Sequence, residues 1–115
     1  MTDPDCLFCK IVAGDIPSEE VVSSDGTYAF RDLKPEAPTH VLVVPREHIV
    51  DADHVVPEHG AVLAEMLATA QEVARKDRLD GGYRLVLNVG GDAGQTVLHL
   101  HLHVLGGRRM GWPPG

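Results

Sequence analysis

A chain of 115 residues with 43 % hydrophobic content suits one globular domain that builds its core without disulfides. Its net charge of −7 argues against nucleic acid and anionic membrane surfaces as general partners. No apolar run approaches a spanning helix, and the opening Met1-Thr2-Asp3-Pro4-Asp5 lacks the basic start of a signal peptide, so a cytoplasmic location is the default expectation.

Cys6-Leu7-Phe8-Cys9 is a Cys-x-x-Cys. In a reducing compartment that spacing goes with metal or redox chemistry, or is a plain buried pair. The redox version normally follows a strand, and no strand precedes it here. A closed zinc site would need two more ligands from elsewhere in the chain. Leu7, Phe8, Ile11 and Val12 recur at helical spacing and predict a short helix over Leu7 to Ala13, with Gly14 as its C-cap and Ile16-Pro17 preventing continuation. Glu20 to Ser23 reads as a strand, Ser24-Asp25-Gly26 as a turn, and Thr27 to Asp32 as the partner strand. Leu33 to Pro38 is a loop, and Thr39 to Val44 a third strand closed by Pro45. Val62, Leu63, Met66, Leu67, Ala70, Val73 and Ala74 form a core-facing stripe on a long helix expected over Pro57 to Arg78. Tyr83 to Val89 follows as a fourth strand, then the glycine-rich loop Gly90 to Thr96. Strands dominate and the helices are segregated, which predicts an α+β domain with an antiparallel sheet.

The organising stretch comes last. His99-Leu-His-Leu-His-Val-Leu105 alternates strictly, with His99, His101 and His103 on one side and Leu98, Leu100, Leu102 and Val104 on the other. Period two is the pattern of a half-buried strand. Three imidazoles in a row fill a core poorly, so that face is expected to look into a site; metal binding by all three is the rival reading. The loop Gly90 to Thr96 lacks the Gly-Lys-[Ser/Thr] ending of a phosphate-binding P-loop and leads into a strand. It offers instead exposed backbone N–H groups and the Thr96 hydroxyl beside the histidines, a concavity suited to anions. No lysine or arginine cluster accompanies it and no carboxylate pair for magnesium is apparent, which favours a substrate with a single phosphate.

The pattern His-φ-His-φ-His-φ-φ, with φ apolar, resembles the histidine triad (HIT) family, and the tail Leu105-Gly-Gly-Arg-Arg-Met-Gly-Trp-Pro-Pro-Gly115 is similar to that of its Hint branch. The resemblance runs from about Cys6 to Gly115. It implies a HIT-like fold, a five-stranded antiparallel sheet with one short and one long helix, spanning residues 1–115 as a single domain. It implies a homodimer in which two sheets join into ten strands, with the 106–115 tail packing at the interface and carrying Trp112 to the partner's site. It implies a hydrolase of purine nucleoside 5′-phosphoramidates or related adenylates, with His101 as nucleophile and His103 as the second catalytic histidine. Gln95, Thr96 and His103 would meet the phosphate, Gly94 would bind substrate beside them, Asn88 would line the site, and His40 would be a further site histidine. Asp32 would hold the ribose, with Leu33 packing on the base.

The resemblance also bears on the cysteines. His48 matches the position that supplies zinc in metal-bearing relatives. His101 and His103 are committed to phosphate, while His99 lies one same-face step away. The assignment is a structural Zn²⁺, one per chain, on Cys6, Cys9, His48 and His99. His54 and His59 match no motif and are expected in solvent. Two other readings compete with the hydrolase: a nucleotide-binding or protein-interaction module with incidental catalysis, and a zinc-handling domain whose histidines serve only metal.

Overall fold

Valines and leucines placed in unbroken succession need cover on both sides, and the strand Thr39–Pro45 has it: all seven of its residues are buried. In the computed structural model, which describes residues 2–115, this strand is the centre of a five-stranded sheet. The strands are β1 (Glu20–Ser23), β2 (Thr27–Arg31), β3 (Thr39–Pro45), β4 (Tyr83–Val86) and β5 (Leu102–Gly106), in the spatial order β1-β2-β3-β5-β4. Every pairing is antiparallel, as expected.

Alternation along β3 and β5 sends side chains to two different cores. Val41, Val43, Leu100, Leu102 and Val104 face the long helix α2 (Gly60–Lys76), joined by Met66, Ala70 and Val73 from that helix. Leu42, Val44 and Phe30 face the opposite way, onto the short helix α1 (Leu7–Val12), which contributes Phe8, Cys9 and Ile11. α1 is capped at its start by Cys6, whose sulfur accepts the Cys9 N–H.

Several boundaries and placements differ from expectation. The long helix starts with a 3₁₀ turn over Pro57–His59 and becomes α-helical only at Gly60; it stops at Lys76, and Arg78 takes a left-handed φ of 56°. Its buried stripe is rotated toward Thr69, whose hydroxyl bonds Thr27 Oγ1 at 2.7 Å, and Leu67 on the far edge is left exposed. β4 ends at Val86, so Leu87, Asn88 and Val89 lie beyond the ladder. β5 begins only at Leu102, paired with Val43, because β3 ends at Pro45, which has no N–H to continue the ladder. The chain over 97–101 stays close by donating Leu100 N–H to Ile49 O at 2.5 Å. Leu98, expected on the apolar face, stands exposed on this irregular stretch. Among the described residues no helix is long and apolar enough to cross a membrane.

Candidate active site

The β5 face that looks toward α1 forms one end of a cavity of about 310 Å³. Leu7, Phe8 and Ile11 of α1, Ile16 after it, and Phe30 and Leu42 of the sheet make its apolar wall. His101, His103, Asp32 and the loop residues Gly94 and Thr96 make its polar end, with Leu33 at the rim. The apolar wall carries no signature in the sequence. Leu7, Phe8 and Ile11 read as ordinary helix core, and nothing in their spacing distinguishes a core from a cavity lining.

The hydrogen bonds of the histidines determine which nitrogen carries each proton. His101 Nδ1 lies 2.7 Å from the main-chain carbonyl of His99. A carbonyl can only accept, so Nδ1 holds the proton and Nε2 keeps an unshared pair. Phe8 supports the ring edge-on, with centroids 5.1 Å apart. Behind it, His40 Nδ1 accepts the Glu36 N–H at 3.0 Å, so the neutral ring is protonated on Nε2 and donates to His103 Nδ1 at 2.9 Å. Asp32 Oδ2 stands 3.4 Å from the same His40 nitrogen. The proton of His103 is thereby sent to Nε2, which is the one buried side-chain polar atom without a partner among the described residues. A buried donor left unpaired is costly and asks for an acceptor. Burial pushes the pKa of His101 down and that of His103 down to about 4, so both rings are neutral at pH 7.

The remaining expected site residues divide. Gln95 is buried and fully engaged: its Oε1 accepts the Gly90 N–H at 3.0 Å, and its Nε2 donates to Val50 O at 3.0 Å and Val97 O at 3.1 Å. Its side chain braces the loop, which Gly94 helps to close at φ +90°. His40 is buried behind His103 and does not line the cavity, nor does Asn88. Trp112 is 84 % exposed and stands away from the cavity of its own chain.

The first histidine of the triad faces elsewhere. His99 is 0 % exposed, and its Nε2 donates to Pro45 O at 2.9 Å, which leaves Nδ1 as an acceptor. That atom lies 3.2 Å from Cys6 Sγ, 3.5 Å from Cys9 Sγ and 3.2 Å from His48 Nδ1, and His48 Nδ1 is 3.5 Å from Cys9 Sγ. A tetrahedral zinc has sulfur–nitrogen edges of roughly 3.5 Å and nitrogen–nitrogen edges of roughly 3.3 Å, given its bond lengths. The four donors therefore have the chemistry and spacing to hold such an ion. Asp3 supports two of these donors from behind: its N–H points at Cys9 Sγ at 3.4 Å, and its Oδ2 lies 4.0 Å from His48 Nε2. Burial raises the Cys6 thiol pKa, so a bound cation would supply the charge that draws off its proton. The two leftover histidines differ from each other. His54 is exposed and paired with Asp51, whereas the half-buried His59 ring accepts the Val56 N–H and approaches Glu47 at 3.6 Å.

The tautomers and pKa directions yield a titration test. His54, raised by its hydrogen bond to Asp51, should show a ¹⁵N chemical-shift midpoint above 6.5, and His103 one near 4. Because the unfolded ring titrates at 6.5 and the folded one lower, the unfolded chain binds more protons below pH 6.5. Thermal stability should then fall as pH drops from about 6.5 toward 4. A His103 midpoint at or above 6.5 would contradict the burial argument.

A family model described as the HIT domain matches residues 13–110. An uncharacterised HIT-like protein of Synechococcus elongatus is 45 % identical over 111 residues, 96 % of this chain and 97 % of that protein. A protein of Brassica juncea named 14 kDa zinc-binding protein is 41 % identical over 113 residues, covering 96 % of this chain and all of that one. The crystal structure of a HIT family hydrolase from Legionella pneumophila superposes with a TM-score of 0.94 at 47 % identity, covering 96 % of this chain and 100 % of that one. The match extends through the triad and the sheet that carries it, and on this ground the chain belongs to the HIT family.

Proposed function

We propose that the protein is a nucleotide-binding hydrolase that cleaves purine nucleoside 5′-phosphoramidates or related adenylates. The observation that carries this reading is the His101 tautomer. With Nδ1–H on the His99 carbonyl, Nε2 offers its lone pair at the polar end of a cavity whose other wall is apolar. The apolar wall suits a purine, Asp32 the ribose, and the Gly94–Thr96 loop the phosphate. Gln95 acts by holding that loop rather than by touching the substrate. The naming of the Legionella relative as a hydrolase supports the reaction class.

The chemistry is two displacements. In the first, a bond forms between His101 Nε2 and phosphorus as the phosphorus–nitrogen bond breaks, and the amine leaves with a proton taken up from solvent, which the second step gives back. In the second, water attacks phosphorus, the nucleotidyl–histidine bond breaks, and the lone pair returns to His101. Over the cycle one water supplies the hydroxyl to phosphorus and the proton to the amine. His103 Nε2–H, otherwise unpaired, steadies the phosphoryl oxygens as charge develops on them. Replacing His101 by Ala should lower turnover of adenosine 5′-phosphoramidate by roughly 10⁴-fold or more while AMP still binds. Turnover near wild type in a clean preparation would sink the assignment.

Cys6, Cys9, His48 and His99 would hold one structural zinc, a reading supported by the spacing of their donor atoms and by the name of the Brassica relative. When bound it ties α1 to the sheet. Elemental analysis should find about one zinc per chain, absent from a Cys6→Ser/Cys9→Ser variant that melts roughly 10 °C lower, about 2 kcal/mol for a domain of this size. Metal-free protein with both thiols freely reactive would refute it.

The chain is also proposed to work as a homodimer in a reducing compartment such as the cytoplasm. The edge strand β4 and its continuation leave Tyr83, Leu85, Leu87 and Val89 partly exposed, and Trp112 stands out on the tail. Apolar groups along an open sheet edge call for cover, and a second copy supplies it. Light scattering at micromolar concentration should give twice the chain mass of 12.4 kDa; a monomer would contradict this.

A further inference from the structure

Two clusters meet in one residue. The ring of His99 belongs to the sulfur and imidazole cluster, with Nδ1 3.2 Å from Cys6 Sγ and 3.2 Å from His48 Nδ1. The main-chain carbonyl of the same residue accepts the Nδ1–H of His101 at 2.7 Å. Nothing in the strand ladder holds that carbonyl, because β5 begins only at Leu102. Its position depends on the Leu100 N–H bond to Ile49 and on the grip on the His99 ring, which is fully enclosed. Phe8, set between the two cysteines, meets both rings edge-on, 5.9 Å from His99 and 5.1 Å from His101.

We propose that His99 is a positioning residue: the metal cluster holds its ring, the ring holds its carbonyl, and the carbonyl selects the tautomer and aim of the His101 nucleophile. The ligand set around the ion thereby tunes turnover from outside the cavity. The physical lever is small and steep. A neutral imidazole has two tautomers, and only the Nδ1–H form can attack through Nε2. A misplacement of about 1 Å in a reacting group can cost on the order of a hundredfold in rate. This inference rests on the hydrolase and zinc readings above, and goes beyond them in giving the metal cluster a path to the chemistry.

The test perturbs the cluster at its far side. His48 meets Cys9 and His99 and comes from the segment after β3, away from the cavity. The readout is the proton resonance of His101 Nδ1–H, protected in the zinc-loaded protein by its bond to the carbonyl. His48→Ala should broaden that resonance by exchange and lower kcat for adenosine 5′-phosphoramidate about tenfold or more, with AMP affinity changed by less than about threefold. His48→Cys, which restores a fourth ligand, should recover both in zinc. If His48→Ala does not fold, exchange of zinc for the larger cadmium ion in the wild-type protein provides the second arm and should shift the His101 resonance and lower kcat. A resonance and kcat indifferent to the metal or to His48 would overturn the coupling while leaving the hydrolase reading intact. A wild-type protein that does not turn over the phosphoramidate, yet whose His101 resonance follows the metal, would overturn the hydrolase reading and leave the coupling standing. A chain that binds neither zinc nor cadmium would overturn the coupling outright.

Discussion

β3 is hydrogen-bonded on both edges and covered on both faces, and the rest of the structure takes its position from that constraint. A strand so placed has no freedom of register, because a one-residue slip would exchange the residues facing α1 with those facing α2. Its pairing with β5 therefore decides which way each histidine points. It also decides where the pairing stops. Pro45 ends β3, and the partner chain beyond Leu102 is released from the ladder. The triad is thus split: His103 sits within the sheet, His101 at its border, and His99 outside it, turned into the Cys6–Cys9 cluster.

Burial does chemical as well as mechanical work here. An imidazole removed from water resists protonation, so the same packing that fills the α1 side of the sheet keeps His101 and His103 neutral. A neutral ring has one donor and one acceptor, and each bond made on one nitrogen dictates the state of the other. The chain Glu36 N–H, His40, His103 ends in a donor with no acceptor among the described residues, while the His99 carbonyl leaves His101 with an unshared pair on Nε2. One nitrogen with an unshared pair and one that donates belong to neighbouring rings 5.0 Å apart. That complementarity suits a phosphoryl centre, which needs a nucleophile at phosphorus and a hydrogen bond at its oxygens.

The surroundings are chemically economical. Helix α1 has only six residues, too short to be stable alone, and its face is divided between the cysteines that anchor it and the leucine, phenylalanine and isoleucine that wall the cavity. The bidentate pair of Arg31 with Asp77, which also accepts from Thr39, ties β2 and the start of β3 to the end of α2. That pair engages the guanidinium beside the cavity with a carboxylate of the protein itself.

Much of this was legible in the residues. The strict alternation of the triad, the segregated helices, the loop of glycines and the Cys-x-x-Cys pair are local signals, and local physics decides them: side chains on a strand alternate, glycine opens a turn, and a three-residue step keeps two sulfurs near each other. The five strands and both helices follow; the grouping of Cys6 and Cys9 with His48 and His99 came from the family resemblance, and the fold brings those four donors close enough to hold a metal. What only the tertiary structure decided depends on contacts between distant segments. The order of the strands, the early end of β4 that puts Asn88 beyond the ladder, and the exposure of Leu67 and Leu98 come from how the layers meet. The family resemblance implies Gln95 as a phosphate contact, whereas the fold engages its amide with three backbone groups. The hollow beside α1 has no signature of its own, because the same leucine, phenylalanine and isoleucine would pack a core equally well. Tautomers lie deeper still. They are set by whichever carbonyl or N–H a folded chain brings to each ring, and the His99 carbonyl and Glu36 N–H reach theirs only once β3 and β5 are paired.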